Sequence, residues 1–124
     1  MPDVRTKTLS LPRLTNAQSS LESAALLLMQ ETGELAGAIS ALHELLKKSG
    51  SRQPDLPWLS KDEMNETAKR HGARAVADEL LEVAQTAVTM MFVLEEDFKV
   101  DIEEALADHI SRLIEKGYIK LQSN

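Results

Sequence analysis

The chain has 124 residues, of which 43% are hydrophobic and 27% charged, a balance typical of one folded domain and not of a disordered chain. Its formal net charge of −6 argues against binding to polymeric nucleic acid, because lysines and arginines supply most of that affinity. It contains no cysteine, which excludes disulfides and thiolate metal sites. No apolar run is long enough for a membrane span or a secretion signal, so we expect a cytoplasmic protein without a membrane partner.

The first predicted element is a long amphipathic helix from about residue 17 to residue 48, after an N-terminal arm over residues 1–16. Its apolar residues recur at steps of three and four residues. They are Leu21, Ala24, Leu28, Leu35, Ala38, Leu42 and Leu45. Gly50 is the predicted stop of this helix, since glycine is common just beyond helix C-termini.

A loop is predicted over residues 49–59, because this stretch contains two prolines and several turn-forming residues. Ser60 and Glu63 then have the spacing of a capping box. A short polar helix is expected to begin there and to end at Gly72.

The apolar pattern resumes in a second long helix, predicted over residues 73–96. Asp101 with Glu104 has the form of a further capping box, which opens a third helix that ends before Gly117. Residues 119–124 form a C-terminal tail. We find no repeat and no convincing strand pattern. The prediction is an all-α fold: a single domain over residues 1–124, a helical bundle of two long helices and one or two shorter ones.

Two pairs of glutamates are the strongest candidates for chemistry. Glu31 and Glu34 are three residues apart in the first long helix, and Glu79 and Glu82 repeat this spacing in the second, so each pair shares a helix face. Glu31 and Glu79 also fall within the apolar stripes of their helices. Both pairs are therefore predicted to face each other in the interior.

Buried carboxylates must be protonated, paired with a cation or bound to a metal, since desolvating an isolated charge is costly. Oxygen-only ligands suit Mg²⁺, with Mn²⁺ as a substitute, and no Glu-x-x-His pair is present for a ferritin-type di-iron centre. Chance is the alternative explanation. Twenty acidic residues produce such spacings readily, as Glu63 with Glu66 shows, and the glutamates would then simply reach solvent from the stripe edge.

The segments Q-E-T-G-E-L-A-G-A-I and D-E-L-L-E-V-A-Q resemble the E-E-x-x-E-L-x-x-A-I and E-L-x-D motifs of the MazG-like, all-α nucleotide pyrophosphohydrolases. The likeness extends from about Leu26 to Tyr118, and I-E-E-A-L-A-D-H-I resembles the closing helix of that family. It implies an oligomer, a homodimer or homotetramer, that uses Mg²⁺ to cleave a nucleoside triphosphate into monophosphate and pyrophosphate. Carried over by position, Glu31, Glu34, Glu79 and Glu82 would be the metal ligands.

Three features depart from the family pattern. Gln30 replaces the first glutamate of the E-E pair, and Glu82 replaces the final aspartate. The stretch between the two motifs is also long, because it contains the proline loop and the polar helix. These departures keep a second hypothesis open: a non-catalytic helical module that acts through oligomerisation or nucleotide sensing.

Glu34 and Glu82 are the candidate catalytic residues, as acceptors of the proton of an attacking water. Substrate phosphates need cations, and the basic residues nearest the second motif, or near the C-terminus, are the candidates. They are Lys69, Arg70, Arg74, Arg112 and Lys116. Trp58, in the proline loop, would either stack on the base of the nucleotide or pin the loop to the bundle.

Overall fold

The computed structural model describes residues 5–14, 20–47 and 61–119, with side chains from residue 65 onward in the last range. Three helices make up most of these ranges: α1 (Leu21–Lys47), α2 (Lys61–Phe98) and α3 (Ile102–Glu115). The described residues contain no strand, so the all-α prediction is confirmed. None of the described helices is long and apolar enough to cross a bilayer.

Several sequence predictions fall outside the described residues. These are the loop over residues 49–59 with Trp58, the stop at Gly50, the cap at Ser60 and nearly all of the C-terminal tail.

Ser20 sets the start of α1. Its hydroxyl accepts the backbone N–H of Ser23 at 3.1 Å, while the Ser23 hydroxyl donates to the Ser20 carbonyl at 3.1 Å. Serine side chains at this position satisfy N–H groups that have no partner within the helix. The described helix begins at Leu21, and the predicted start at about residue 17 lies outside the described residues.

The predicted break at Gly72 is wrong, because α2 runs unbroken for 38 residues through it. A Cβ at Gly72 would lie only 3.1 Å from the Cδ1 atoms of both Leu42 and Leu45. Glycine in a helix interior costs about 1 kcal/mol relative to alanine, which packing readily offsets. Gly72 therefore ends no helix and instead allows α1 to approach α2 closely.

Helices α1 and α2 pack against each other in antiparallel directions. Gly72 lies against Leu42 and Leu45 near the end of α1, whereas Thr86, further along α2, contacts Glu31 near the middle of α1. Residue numbers thus rise along one helix as they fall along the other. This pair forms the main interface of the described structure.

The second half of α2 is covered from several sides. Every residue from 83 to 90 is buried or half-buried. The N-terminal segment also lies against this part of α2: the Gln85 amide donates to the Pro12 carbonyl at 2.8 Å, and the Arg13 guanidinium pairs with Glu96. Arg13 also lies 5.7 Å from the centroid of the Phe92 ring, within the range of a cation–π contact.

Lys99 ends α2 in a left-handed conformation with φ 56°. Its ammonium donates to the carbonyl of Glu96 at 2.9 Å, and the N–H of Val100 donates to the carbonyl of Leu94 at 3.1 Å. The Lys99 bond satisfies a carbonyl of the last turn, and the Val100 bond ties the chain back to α2, so the turn into α3 is well defined.

Both predicted ends of α3 are confirmed. Asp101 caps the start, accepting the N–H of Glu104 at 3.0 Å. At the other end Gly117, with φ 80°, follows the helix, and the N–H of Tyr118 donates to the carbonyl of Leu113 at 2.9 Å. This pattern is a Schellman motif, for which glycine is the preferred residue.

Helix α3 buries no side chain and leaves its apolar face largely uncovered. Leu106 is 55% exposed and Ile110 43%. An apolar groove of about 390 Å³ lies where α3 meets α2. It is lined by Met91, Ile102, Ala105, Leu106 and His109. Across the whole described structure Ala24 is the one buried hydrophobic residue, so this chain forms little core by itself.

Candidate functional site

Glu31 is one of the few buried residues of the described structure, with 5% of its surface exposed. It lies on the side of α1 that faces α2, where Thr86 is also buried, at 6% exposure. The Thr86 hydroxyl donates a hydrogen bond to Oε1 of Glu31. This bond joins α1 to α2 through two buried side chains.

Glu79 lies about two turns before Thr86 on the same side of α2 and is half-buried. Its Oε2 atom is inaccessible to solvent and has no hydrogen-bond partner in the described structure. Desolvation raises the pKa of the Glu79 carboxyl. The pKa is raised further by the charges of Glu34 and Glu82, by a hydrogen bond with Glu34 and by the charge of Glu31. The other three candidate glutamates, two on α1 and one on α2, therefore all lie close enough to influence the Glu79 carboxyl.

Glu34 and Glu82 lie at the rim of this cluster and are exposed, so the prediction that they face the interior is wrong for these two. Oε1 of Glu34 accepts a hydrogen bond from the amide of Gln30 at 3.2 Å. Gln30 occupies the position where the family motif has the first glutamate of its E-E pair. A neutral amide there donates to Glu34, whereas a carboxylate would repel it.

The donor set matches Mg²⁺ in chemistry, since all four side chains offer oxygen ligands and one buried oxygen of Glu79 lacks a partner. Within the described residues, however, no three acidic or histidine side chains are grouped closely enough to hold a metal ion. Binding would require the carboxylates to move closer together than they lie in the described structure. The cluster thus contains suitable oxygen ligands, but in the described structure they are not arranged to coordinate one ion.

The basic candidates on α2 lie away from the cluster or in other ion pairs. Lys69 lies 3.7 Å from Glu66, and the guanidinium of Arg74 lies 2.8 Å from Asp78, which raises its pKa. At about 100° per residue, Arg70 and Arg74 are on the side of α2 roughly opposite Glu79. A single chain does not bring these two arginines to the glutamates.

Arg112 and Lys116 lie in the last turn and at the C-cap of α3. Both are exposed, and no described contact joins them to the four glutamates. Trp58 lies outside the described residues. A role for Arg112 or Lys116 in binding phosphate, and for Trp58 in stacking on the base or pinning the loop, stays a prediction.

Thr86 is the member of the cluster that sequence reasoning missed. It follows Glu79 by seven residues, or about two turns, so the two share a stripe of α2. A polar residue on an otherwise apolar stripe was the available signal. Its hydrogen-bond partner was not predictable, because the partner depends on the register between two helices.

Comparison with protein-family models, with curated proteins and with solved structures finds no match to this chain. The resemblance to the MazG-like family therefore stays a prediction that rests on the two glutamate motifs. Any assignment of function depends on the chemistry of the residues themselves.

Proposed function

We propose that this chain is a Mg²⁺-dependent nucleoside triphosphate pyrophosphohydrolase, which releases pyrophosphate and a nucleoside monophosphate. The observation that carries the proposal is the convergence of four glutamates on the α1–α2 interface, with an unpartnered buried oxygen on Glu79. Concentrating like charges in a desolvated interface is unfavourable unless a cation offsets it. A divalent ion bridging carboxylates and phosphates would do so.

Glu31 and Glu79 would hold the ion from the buried side, and Glu34 and Glu82 from the exposed side. Bound there, Mg²⁺ would neutralise charge on the phosphoryl oxygens and lower the pKa of a water molecule. Glu34 and Glu82 are the candidates to accept the proton of that water, because they are exposed where solvent and substrate approach. Glu31 is less suited to this role, since its Oε1 is already bound to Thr86.

The proposal includes assembly into a homodimer or homotetramer. One buried hydrophobic residue in the described structure leaves many large apolar side chains at the surface, including those of α3. Contiguous exposed apolar surface of this kind marks contacts between proteins. A second copy of the chain is the partner expected from the resemblance. Because one chain does not bring its own arginines to the glutamates, the basic side chains that bind phosphate would then come from another copy in the assembly.

A non-catalytic role is the second candidate. It is favoured by the absence, within the described residues, of a ready group of three metal ligands. On this hypothesis the cluster binds nucleotide with Mg²⁺ too weakly, or in the wrong geometry, for hydrolysis. The chain would then act as a nucleotide-sensing or oligomerisation module.

An assay of pyrophosphate release tests the first proposal. A panel of standard and modified triphosphates is incubated with the chain, with and without Mg²⁺, and the products are separated. We expect monophosphate and pyrophosphate in Mg²⁺ only. Glu82→Asp should retain activity and Glu82→Gln should lose most of it, with exposed Glu66→Gln in the same helix as the control.

Nucleoside diphosphate as the main product would exclude the proposed reaction. Absence of turnover on every triphosphate, together with a rise in melting temperature when Mg²⁺ and nucleotide are added, would favour the sensing module instead.

A further inference from the structure

Threonine hydroxyls in these helices have two kinds of partner. Thr32 donates to the carbonyl of Leu28 at 2.7 Å, and Thr89 donates to the carbonyl of Gln85 at 2.9 Å. Both bonds join a threonine to the backbone four residues earlier, which is the usual local partner of a helical threonine. Thr86 differs, because its hydroxyl donates across the interface to Glu31.

The choice of partner by Thr86 has a chemical consequence. A threonine hydroxyl carries a single proton to donate, and here that proton goes to Oε1 of a carboxylate that is 5% exposed. The bond fixes the orientation of the Glu31 carboxylate, since its Oε1 atom is held from across the interface. Because Thr86 is itself 6% exposed, water has little access to replace this donor.

We propose that Thr86 is a positioning residue: it holds Glu31 in the orientation needed to bind a divalent cation. The inference rests on the proposed function, since it assumes that Glu31 is a metal ligand. Carboxylate ligands are commonly oriented by hydrogen bonds from residues that do not touch the metal, and loss of such a partner typically lowers metal affinity by about 10–100-fold. Thr86 acts through Glu31 and is not itself a catalytic residue.

The experiment compares Thr86→Val, which keeps the side-chain shape but removes the hydroxyl, with Thr86→Ser, which keeps the hydroxyl. Thr89→Val is the matched control, because Thr89 lies in the same helix and bonds only to backbone. Binding of Mn²⁺ to each full-length variant is followed by electron paramagnetic resonance, so the readout does not depend on turnover. Thermal melts in chelator show that each variant is folded, and Thr86→Ala replaces Thr86→Val if the valine variant does not fold.

We expect Thr86→Val to bind Mn²⁺ about 10-fold or more weakly than wild type, with Thr86→Ser and Thr89→Val close to wild type. If Thr86→Val changes the melting temperature in chelator but binds Mn²⁺ as wild type does, Thr86 only stabilises the helix pair and the inference is wrong. Equal losses for valine and serine would also contradict it, since the hydroxyl would then not be the feature that matters. Wild type that neither binds Mn²⁺ nor releases pyrophosphate would overturn the proposed function and this inference together.

Discussion

The contribution of the Glu79 carboxyl to the stability of the fold depends on pH. Its pKa in the folded chain is raised above the ordinary value of about 4.5, with desolvation as the largest cause. A group with a raised folded pKa binds a proton more tightly in the folded state than in the unfolded one. Its stabilising contribution is therefore complete below the ordinary pKa and is lost as the pH rises through the folded pKa. At neutral pH without metal, ionised Glu79 destabilises the fold.

We therefore predict that Glu79→Gln melts at or above the wild-type temperature in chelator at pH 7, and that this advantage disappears as the pH falls toward 4.5. Addition of Mg²⁺ should reverse the order, because an ion that binds only the folded state adds about 2.7 kcal/mol at 100 times its Kd, and the variant lacks a ligand. Melting temperatures at several pH values, with chelator and with Mg²⁺ plus nucleotide, measure both effects.

Glu66→Gln serves as the control, because Glu66 is exposed on the same helix and forms only a surface ion pair with Lys69. A pH-independent difference between Glu79→Gln and wild type would contradict the raised pKa. A wild-type melting temperature that does not respond to Mg²⁺ and nucleotide would remove the support for a metal site.

At the scale of residues, the sequence predicted burial correctly for only part of the glutamate cluster. The apolar stripe around Glu31 indicated a buried position, and Glu31 is buried. Glu34 and Glu82 were also predicted to face the interior, but both are exposed. The Thr86–Glu31 bond joins residues 55 positions apart, and no local pattern fixes the register that creates it.

At the scale of elements, glycine shows why helix boundaries are hard to predict. Gly117 ends α3 because the chain needs a left-handed residue there, whereas Gly72 lies inside α2 because α1 leaves no room for a side chain. The residues that surround Gly72 and Gly117 in the sequence do not show which glycine ends a helix and which lies inside one. The capping residues Asp101 and Glu104 were recognisable because their interaction is local, while the partners of Gly72 lie in another helix.

We predict opposite effects for two glycine substitutions. Gly72→Val should destabilise the chain by about 1–3 kcal/mol, because the side chain would collide with Leu42 and Leu45. Gly37→Ala should stabilise it by up to about 1 kcal/mol, since nothing lies within 4 Å of a Cβ there and alanine is the better helix former.

Denaturant unfolding followed by circular dichroism measures both glycine variants. A neutral Gly72→Val would contradict the close approach of the two helices, and a destabilising Gly37→Ala would indicate that another chain packs against that side of α1.

At the scale of the whole molecule, the uneven distribution of packing is the main feature. The second half of α2 is covered by α1 and by the N-terminal segment, while α3 buries no residue. The sequence predicted three amphipathic segments correctly but not how little of their apolar surface one chain would bury. Amphipathicity indicates that a face needs a partner, and it does not say whether that partner belongs to the same chain.

We predict that the protein in solution has at least twice the mass of a single 13.7 kDa chain. Light scattering coupled to gel filtration at micromolar concentration measures this mass. The double variant Leu106→Asp with Ile110→Asp should lower the mass, because it places charges on the exposed apolar face of α3. Leu9→Asp, at an exposed apolar residue outside α3, should leave it unchanged. A wild-type monomer at these concentrations would contradict the prediction.

From the antiparallel pairing of α1 and α2 we also predict which contacts between the two helices form first during folding. The contact between Gly72 and Leu45 closes a shorter loop than the contact between Glu31 and Thr86, which spans 55 residues. The difference in closure entropy is about 0.6 kcal/mol in favour of the shorter loop. Pairing should therefore nucleate near Gly72 and propagate toward the glutamates. Repulsion among the carboxylates would then arise after the rate-limiting step, so that it speeds unfolding of the metal-free chain and leaves its folding rate nearly unchanged.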